Sequence, residues 1–170
     1  PQAMRILADA GLSTKEACGN TIRNVTGCPR AGVAADEVFD VTPYAAAFAR
    51  FFLGHELSGG MPRKIKTAFS GCSDDCAVTP IHDIGYIARI RDGVKGFEIV
   101  MGGGLSILPK AAVSLYDFVP LDDEKWIRIA EAALRIFDRS TEERKNRMKA
   151  RIKFMIDRIG VDELRKQVEE

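Results

Sequence analysis

Residues 62–77, PRKIKTAFSGCSDDCA, limit what this chain can fold into more than any other stretch. Lys64 to Ser70 reads as a strand. Successive side chains of a strand point to opposite faces, so Ile65, Thr67 and Phe69 share one face, suited to a core. Lys64 and Lys66 share the other, ~7 Å apart along the chain. Two ammonium groups held this close repel unless an anion lies between or before them. An edge strand whose lysines deter aggregation accounts for the pattern, and so does an anion site. Arg63 leans to the other side, within reach of a carboxylate at the strand's entrance.

The rest of the chain supplies partners for that strand. Thr21 to Thr26 is β-leaning inside a polar, Gly-rich stretch. Ile84 to Ile90 and Phe97 to Met101 read as strands joined by a hairpin-like RDGVKG, and Gly102 to Gly104 break the second. Residues 1–10 read as a short helix closed by Gly11. A second helix starts at Pro43 and carries Tyr44, Phe48, Phe51 and Phe52 on one face. Asp123 to Asp138 forms a third, with Trp126, Ala130, Ala133, Leu134 and Phe137 inward. A fourth runs from Ser140, which makes a capping box with Glu143, to near Gly160. Its apolar face is Met148, Ile152, Met155, Ile156 and Ile159, and Val161 to Glu169 closes the chain as a fifth helix. The pattern predicts one α/β layered domain over residues 1–170, an α+β sandwich. A small mixed or antiparallel sheet is flanked by helices, with a helical C-terminal segment.

Composition narrows the function. The chain has 170 residues and a formal net charge of +1, so bulk charge argues against a nucleic-acid partner. No uncharged apolar run approaches the ~18 residues of a membrane span. Four cysteines are too few for a secreted disulfide scaffold. A cytoplasmic protein with reduced thiols is the expectation, which favours metal binding. The opening PQAMRILADAGL starts mid-pattern and reads as part of a longer polypeptide.

Several residues could carry chemistry. Cys72-x3-Cys76 follows a strand and a glycine, at a spacing that can serve an iron–sulfur cluster. Cys18 and Cys28 form a second pair. Four thiolates could complete a cluster or a zinc site, and four small buried residues would explain them equally. A glycine triplet at 102–104 could let a flat ligand approach the backbone, or simply end a strand. Asp83, after His82, is a turn residue or a ligand. Arg144, Lys145, Arg147, Lys149, Arg151, Lys153 and Arg158 read as a solvated basic face.

Four stretches in order, ACGNTIRNVTGCPRAG, MPRKIKTAFSGC, HDIGYIA and GFEIVMGGGLS, followed by the tail NRMKARIKFMIDRIGVDELRKQVEE, resemble the nitrite and sulfite reductase family. The likeness runs from Gly11 to the C-terminus and is to the siroheme module of the first of that family's two halves. It implies an oxidoreductase that reduces sulfite to sulfide or nitrite to ammonia with siroheme and a 4Fe-4S cluster. An electron donor such as ferredoxin or a flavoprotein would serve it. It implies that Arg23, Lys64 and Lys66 bind the anion and deliver protons, and that Arg63 pairs with a siroheme carboxylate. Gly19, Asn20, Gly102, Gly103 and Gly104 would line the cofactor. Lysine at position 66 resembles the sulfite-reducing members.

The cysteines depart from the family's pattern. GCSDDC looks like its Cys-x3-Cys, but its Cys-x5-Cys is missing, since Asn24 stands six places after Cys18. Cys18, Cys28, Cys72 and Cys76 would then hold a cluster in altered spacing, hold another metal, or be relics. In the last case a second half of the enzyme supplies the cluster, and this piece alone is inactive. A non-catalytic iron–sulfur or zinc module built on the four cysteines is the alternative.

Overall fold

The computed structural model describes residues 2–170, so Pro1, the first residue of the expected opening helix, lies outside it. A five-stranded sheet is its frame, in the order β1 (Ile22–Gly27), β2 (Ile65–Ser70), β3 (Ile84–Arg91), β4 (Val94–Met101) and β5 (Val113–Pro120). β1, β2 and β3 run parallel, and β3, β4 and β5 antiparallel. Asp92 and Gly93 both take positive φ, the backbone that a two-residue β3–β4 hairpin demands. The helices are α1 (Gln2–Asp9), α2 (Thr42–Phe52), α3 (Lys125–Arg139), α4 (Glu142–Lys145), α5 (Ile152–Ile159) and α6 (Val161–Glu169).

The α+β layering agrees with the sequence pattern, with three differences. β5 is a strand that the pattern did not mark. Its residues VSLYDFVP carry a proline and a central aspartate, and only Leu115 and Val119 are buried. β4 begins at Val94, three residues earlier than expected, because Val94 and Lys95 pair with Arg91 and Ile90 although their side chains are exposed.

The third difference is a helix that does not form whole. The expected run from Ser140 to Gly160 breaks at Asn146, which takes an extended backbone and accepts a hydrogen bond from the Met148 N–H. A short 3-10 turn follows and α5 starts afresh at Ile152. Met148 falls on the break, 60% exposed instead of inward. The expected capping box is not made: Thr141, not Ser140, caps the helix, no side chain bonds its first N–H groups, and the Ser140 hydroxyl donates to the Glu143 carboxylate instead.

An aromatic cluster joins the sheet to α2 and α3. The register places Phe69 beside Tyr86, and their rings stack at 4.5 Å. Phe97 touches Phe39, Tyr44, Phe69, Tyr86 and Trp126 within 6 Å between centroids. Such ring pairs contribute beyond their buried area. The Tyr86 hydroxyl donates to the Trp126 carbonyl at 2.9 Å, so its one polar atom is satisfied in the interior. Phe97 is central enough that Phe97→Ala should cost about 3–5 kcal/mol. Urea unfolding of the variant checks this, and a loss below ~1 kcal/mol would place Phe97 outside the core.

Candidate functional site

β2 has chemistry at both ends. At its start, the parallel register sets Arg23 of β1 beside Lys66. A bulge follows at once, with Asn24 at positive φ, and such bulges re-aim neighbouring side chains. Arg23 donates to the Ala17 carbonyl at 3.4 Å, and its Nε is buried with no partner among the described residues. Lys64 and Lys66 are both half-buried. With Ile81, His82, Leu105, Ser106 and Arg151 they line a cavity of about 190 Å³. That volume suits a small oxyanion better than an organic ligand, whose pockets usually exceed ~300 Å³.

Asp83 and Arg151 organise this end. The Asp83 side chain is fully buried at the mouth of β3. Its Oδ1 accepts from Arg151 Nε at 2.9 Å and Nη2 at 2.7 Å, and its Oδ2 accepts from the Lys66 backbone N–H at 2.8 Å. Burial holds the carboxyl above its ordinary value, against the opposing pull of the Arg151 guanidinium. The two-toothed geometry fixes Arg151 at the cavity wall while compensating the buried charge.

Arg151 therefore leaves the solvated basic face to which the sequence pattern assigned it. Lys153 leaves it too, at 1% exposure, and donates to the carbonyls of Gly104, Ile107 and Leu108. Both follow from the break at Asn146, which turns α5 so that its first residues face the sheet's end. Sequence reasoning offered Asp83 as a turn residue or a ligand and missed its partner. Its signal was a carboxylate opening an apolar strand, which needs a cation once buried. That cation stands 68 residues away, where spacing says nothing.

The remaining expected cofactor residues divide. Arg63 and Asn20 share a cavity of about 430 Å³ with Glu143, Arg144 and Arg147, a largely basic wall. Gly19 is exposed with positive φ. Gly102 and Gly103 are used inside the fold, since a Cβ would collide with Ile156 at the first and with the Pro80 and His82 carbonyls at the second. Gly104 lies nearest the cations, with Arg151 Nη2 3.6 Å and Lys153 Nζ 3.7 Å from where its Cβ would be. His82 takes no part in an ion pair among the described residues, and its Nδ1 lies 3.0 Å from the Val78 carbonyl oxygen.

At the other end of β2 the thiols gather. Cys28 and Cys72 lie just past the ends of β1 and β2, and their sulfurs are 3.9 Å apart. Cys76 completes a group whose three sulfurs all lie within 4.8 Å of one another. Cys18 is exposed and stands outside it, so the expected set of four reduces to three. Burial pushes the Cys28 thiol up, while the Cys76 backbone N–H draws the Cys72 thiol down.

The comparisons with known proteins agree with this arrangement. A family model described as the nitrite and sulphite reductase 4Fe-4S domain matches residues 18–170. A sulfite reductase [ferredoxin] of Mycolicibacterium paratuberculosis is 36% identical, covering 100% of this chain and 30% of the relative. A ferredoxin–nitrite reductase of Leptolyngbya laminosa is 32% identical, covering 100% of this chain and 34% of the relative. The chain thus spans about a third of the length of such relatives. The solved NirA protein of Mycobacterium tuberculosis superposes with a TM-score of 0.85 at 35% identity, over 99% of this chain and 30% of that one. A dissimilatory sulfite reductase, 11% identical with a TM-score of 0.76, shares the fold. No helix among the described residues is long and apolar enough to cross a membrane.

The crowded cations set a pH dependence. Burial first, then Arg23, Lys66, Arg151 and Arg63, holds the Lys64 ammonium below its ordinary 10.5. A lysine depressed in the folded state binds fewer protons there than when unfolded, so stability should rise as pH climbs from its depressed value towards 10.5. Below that window the charged Lys64 costs stability, and an oxyanion should relieve the cost. Thermal unfolding with and without phosphate checks both signs. Lys64→Gln should flatten the pH slope and shrink the phosphate effect.

Proposed function

The chain belongs to the nitrite and sulfite reductase family, and from that premise we propose that it is the substrate-facing, siroheme-contacting part of a sulfite or nitrite reductase. One observation carries the reading. Lys64, Lys66 and Arg151 converge on a small cavity, Arg23 adds its charge from the adjacent strand, and Asp83 is the fixed counter-charge. An excess of cations around a cavity sized for an oxyanion is a binding site for sulfite or nitrite. The whole enzyme's turnover also requires what lies outside these residues, and the similar sulfite and nitrite reductases take ferredoxin as their donor by name.

The site's chemistry follows from its charges. Siroheme, when bound, supplies the iron on which the anion is reduced. This chain's residues bind and orient the anion, neutralise its charge and hold protons beside its oxygens. Lys64 is a readier acid than a free lysine, because burial first and its cationic neighbours next favour loss of its proton. Cations fixed in place need not reorganise as charge develops on the departing oxygen. The unpartnered Arg23 Nε is a buried donor awaiting an acceptor, as expected of a site whose ligand is part of its hydrogen-bond network. The basic wall of Arg63, Arg144 and Arg147 suits the carboxylates of the tetrapyrrole, with Arg63 as the pairing residue and Asn20 beside it. Gly104, and the turn that Gly102 and Gly103 make possible, would let backbone contribute to holding the cofactor.

Sulfite is the favoured substrate. Lys66 resembles the sulfite-reducing pattern, and the mycobacterial sulfite reductases at 34–37% identity stand above the nitrite reductases at 31–32%. The 4Fe-4S cluster of the family is assigned to a second half of the parent protein, since only three thiols meet here. Lys64→Ala or Lys66→Ala in the parent enzyme should lower sulfite turnover ~10²–10³-fold while siroheme absorption persists. Turnover unchanged with full siroheme content would refute the role of that lysine.

A further inference from the structure

The thiol end of β2 is the strongest feature that the reductase reading leaves unused. Three cysteines converge there from three places: the end of β1, the end of β2, and the turn that returns Cys76. The turn is fixed by its own bonds. The Asp75 N–H donates to the Cys72 carbonyl at 3.3 Å, and the Asp75 carboxylate accepts from the Thr79 N–H and hydroxyl. Cys28 is fixed by its N–H to the Phe69 carbonyl at 3.0 Å. The three sulfurs are thus set by sheet register and turn geometry.

The spacing discriminates between metals. Ligands that share one ion at a metal–sulfur distance of ~2.3 Å stand ~3.8 Å apart in tetrahedral geometry. The 3.9 Å between Cys28 and Cys72 matches that separation, and Cys76 lies within 4.8 Å of both. A four-iron cluster asks for a fourth cysteine and places each thiolate on a different iron, farther apart than ligands of one ion. Cys18, exposed and outside the group, does not supply the fourth.

The surroundings favour thiolates. The Arg30 guanidinium donates to Cys76 Sγ at 3.0 Å and the Arg30 N–H to Cys28 Sγ at 3.4 Å. Outer donors of this kind orient thiolate ligands and temper their charge. A divalent ion and Arg30 together balance three thiolates. Cys28 and Cys72 are buried while Cys76 is half-buried, so an ion has a way in beside Cys76.

We propose that Cys28, Cys72 and Cys76 form a binding site for a single thiophilic cation, Zn²⁺ or Cu⁺, separate from the anion site at Lys64 and Lys66. Thiolate ligands select these ions over harder ones. Lys66 and Cys72 are six residues apart along β2 and its extension, or ~20 Å at the strand rise. Binding releases the protons of those thiols not yet ionised, and no redox step is involved. The proposal does not rest on the reductase reading, and turnover is not its readout.

The test is metal analysis of the parent enzyme purified anaerobically, followed by chelator treatment and Co²⁺ titration. The expected result is one equivalent of zinc or copper per chain, or, in stripped protein, one equivalent of Co²⁺ with thiolate-to-cobalt charge-transfer absorption and tetrahedral visible bands. Which of the two ions is found identifies the natural occupant. Cys76→Ser, at the most accessible ligand, should weaken Co²⁺ binding at least tenfold with an unchanged unfolding midpoint, and Cys18→Ser should change nothing. Two results would overturn the proposal. One is the absence of both bound metal and a cobalt–thiolate spectrum. The other is iron with acid-labile sulfide lost in step on Cys76→Ser, which would make these residues cluster ligands.

Discussion

The ion pair between Asp83 and Arg151 is the constraint on which the rest of the cationic end of the sheet depends. A carboxylate with no exposure is tolerable only when paired and hydrogen-bonded. Asp83 meets that demand with one guanidinium and one backbone N–H, and each contact fixes a different element. The Lys66 N–H ties the start of β2 to the start of β3. Arg151 ties both to the beginning of α5. Removing the carboxylate would leave a half-buried guanidinium among other cations, Lys64 and Lys153 included, so the pair holds together a cluster that would otherwise repel itself.

Lys153, two residues on, performs the matching task for the backbone. Its ammonium collects three carbonyls of the 104–108 turn, beside the glycine triplet. Burial comes first in lowering its proton affinity and Arg151 second, so the two cations at the start of α5 act on one another as well as on the turn. The start of one short helix thus delivers both the arginine that lines the cavity and the lysine that holds the turn at its rim. The parallel half of the sheet explains the polarity of the whole design: cationic side chains gather where β1 and β2 begin, and thiols gather where they end.

Much of this was legible in the sequence. The period-two alternation of KIKTAF gave both the strand and the convergence of its lysines, and the resemblance of four ordered motifs named the family. Helix-spaced aromatics foretold α2 and α3, and Trp126, Ala130, Ala133, Leu134 and Phe137 are all buried as expected. β5 escaped because its residues alternate weakly and its partner β4 supplies the order. The break at Asn146 escaped because the amphipathic spacing of 148–159 is good helix, and tertiary partners alone draw Arg151 to Asp83 and Lys153 to the carbonyls of 104–108. Cys18 was counted with the other thiols because sequence distance cannot say which strand ends meet.

The central claim is that Asp83 builds the anion site by holding Arg151. Calorimetric titration of sulfite into the parent enzyme and into its Asp83→Asn variant tests it most directly, with an unfolding scan to establish that the variant is folded. Sulfite binding weakened at least tenfold in the folded variant is the predicted result. Unchanged affinity would contradict the account, because Arg151 would then need no buried carboxylate to take part in the site.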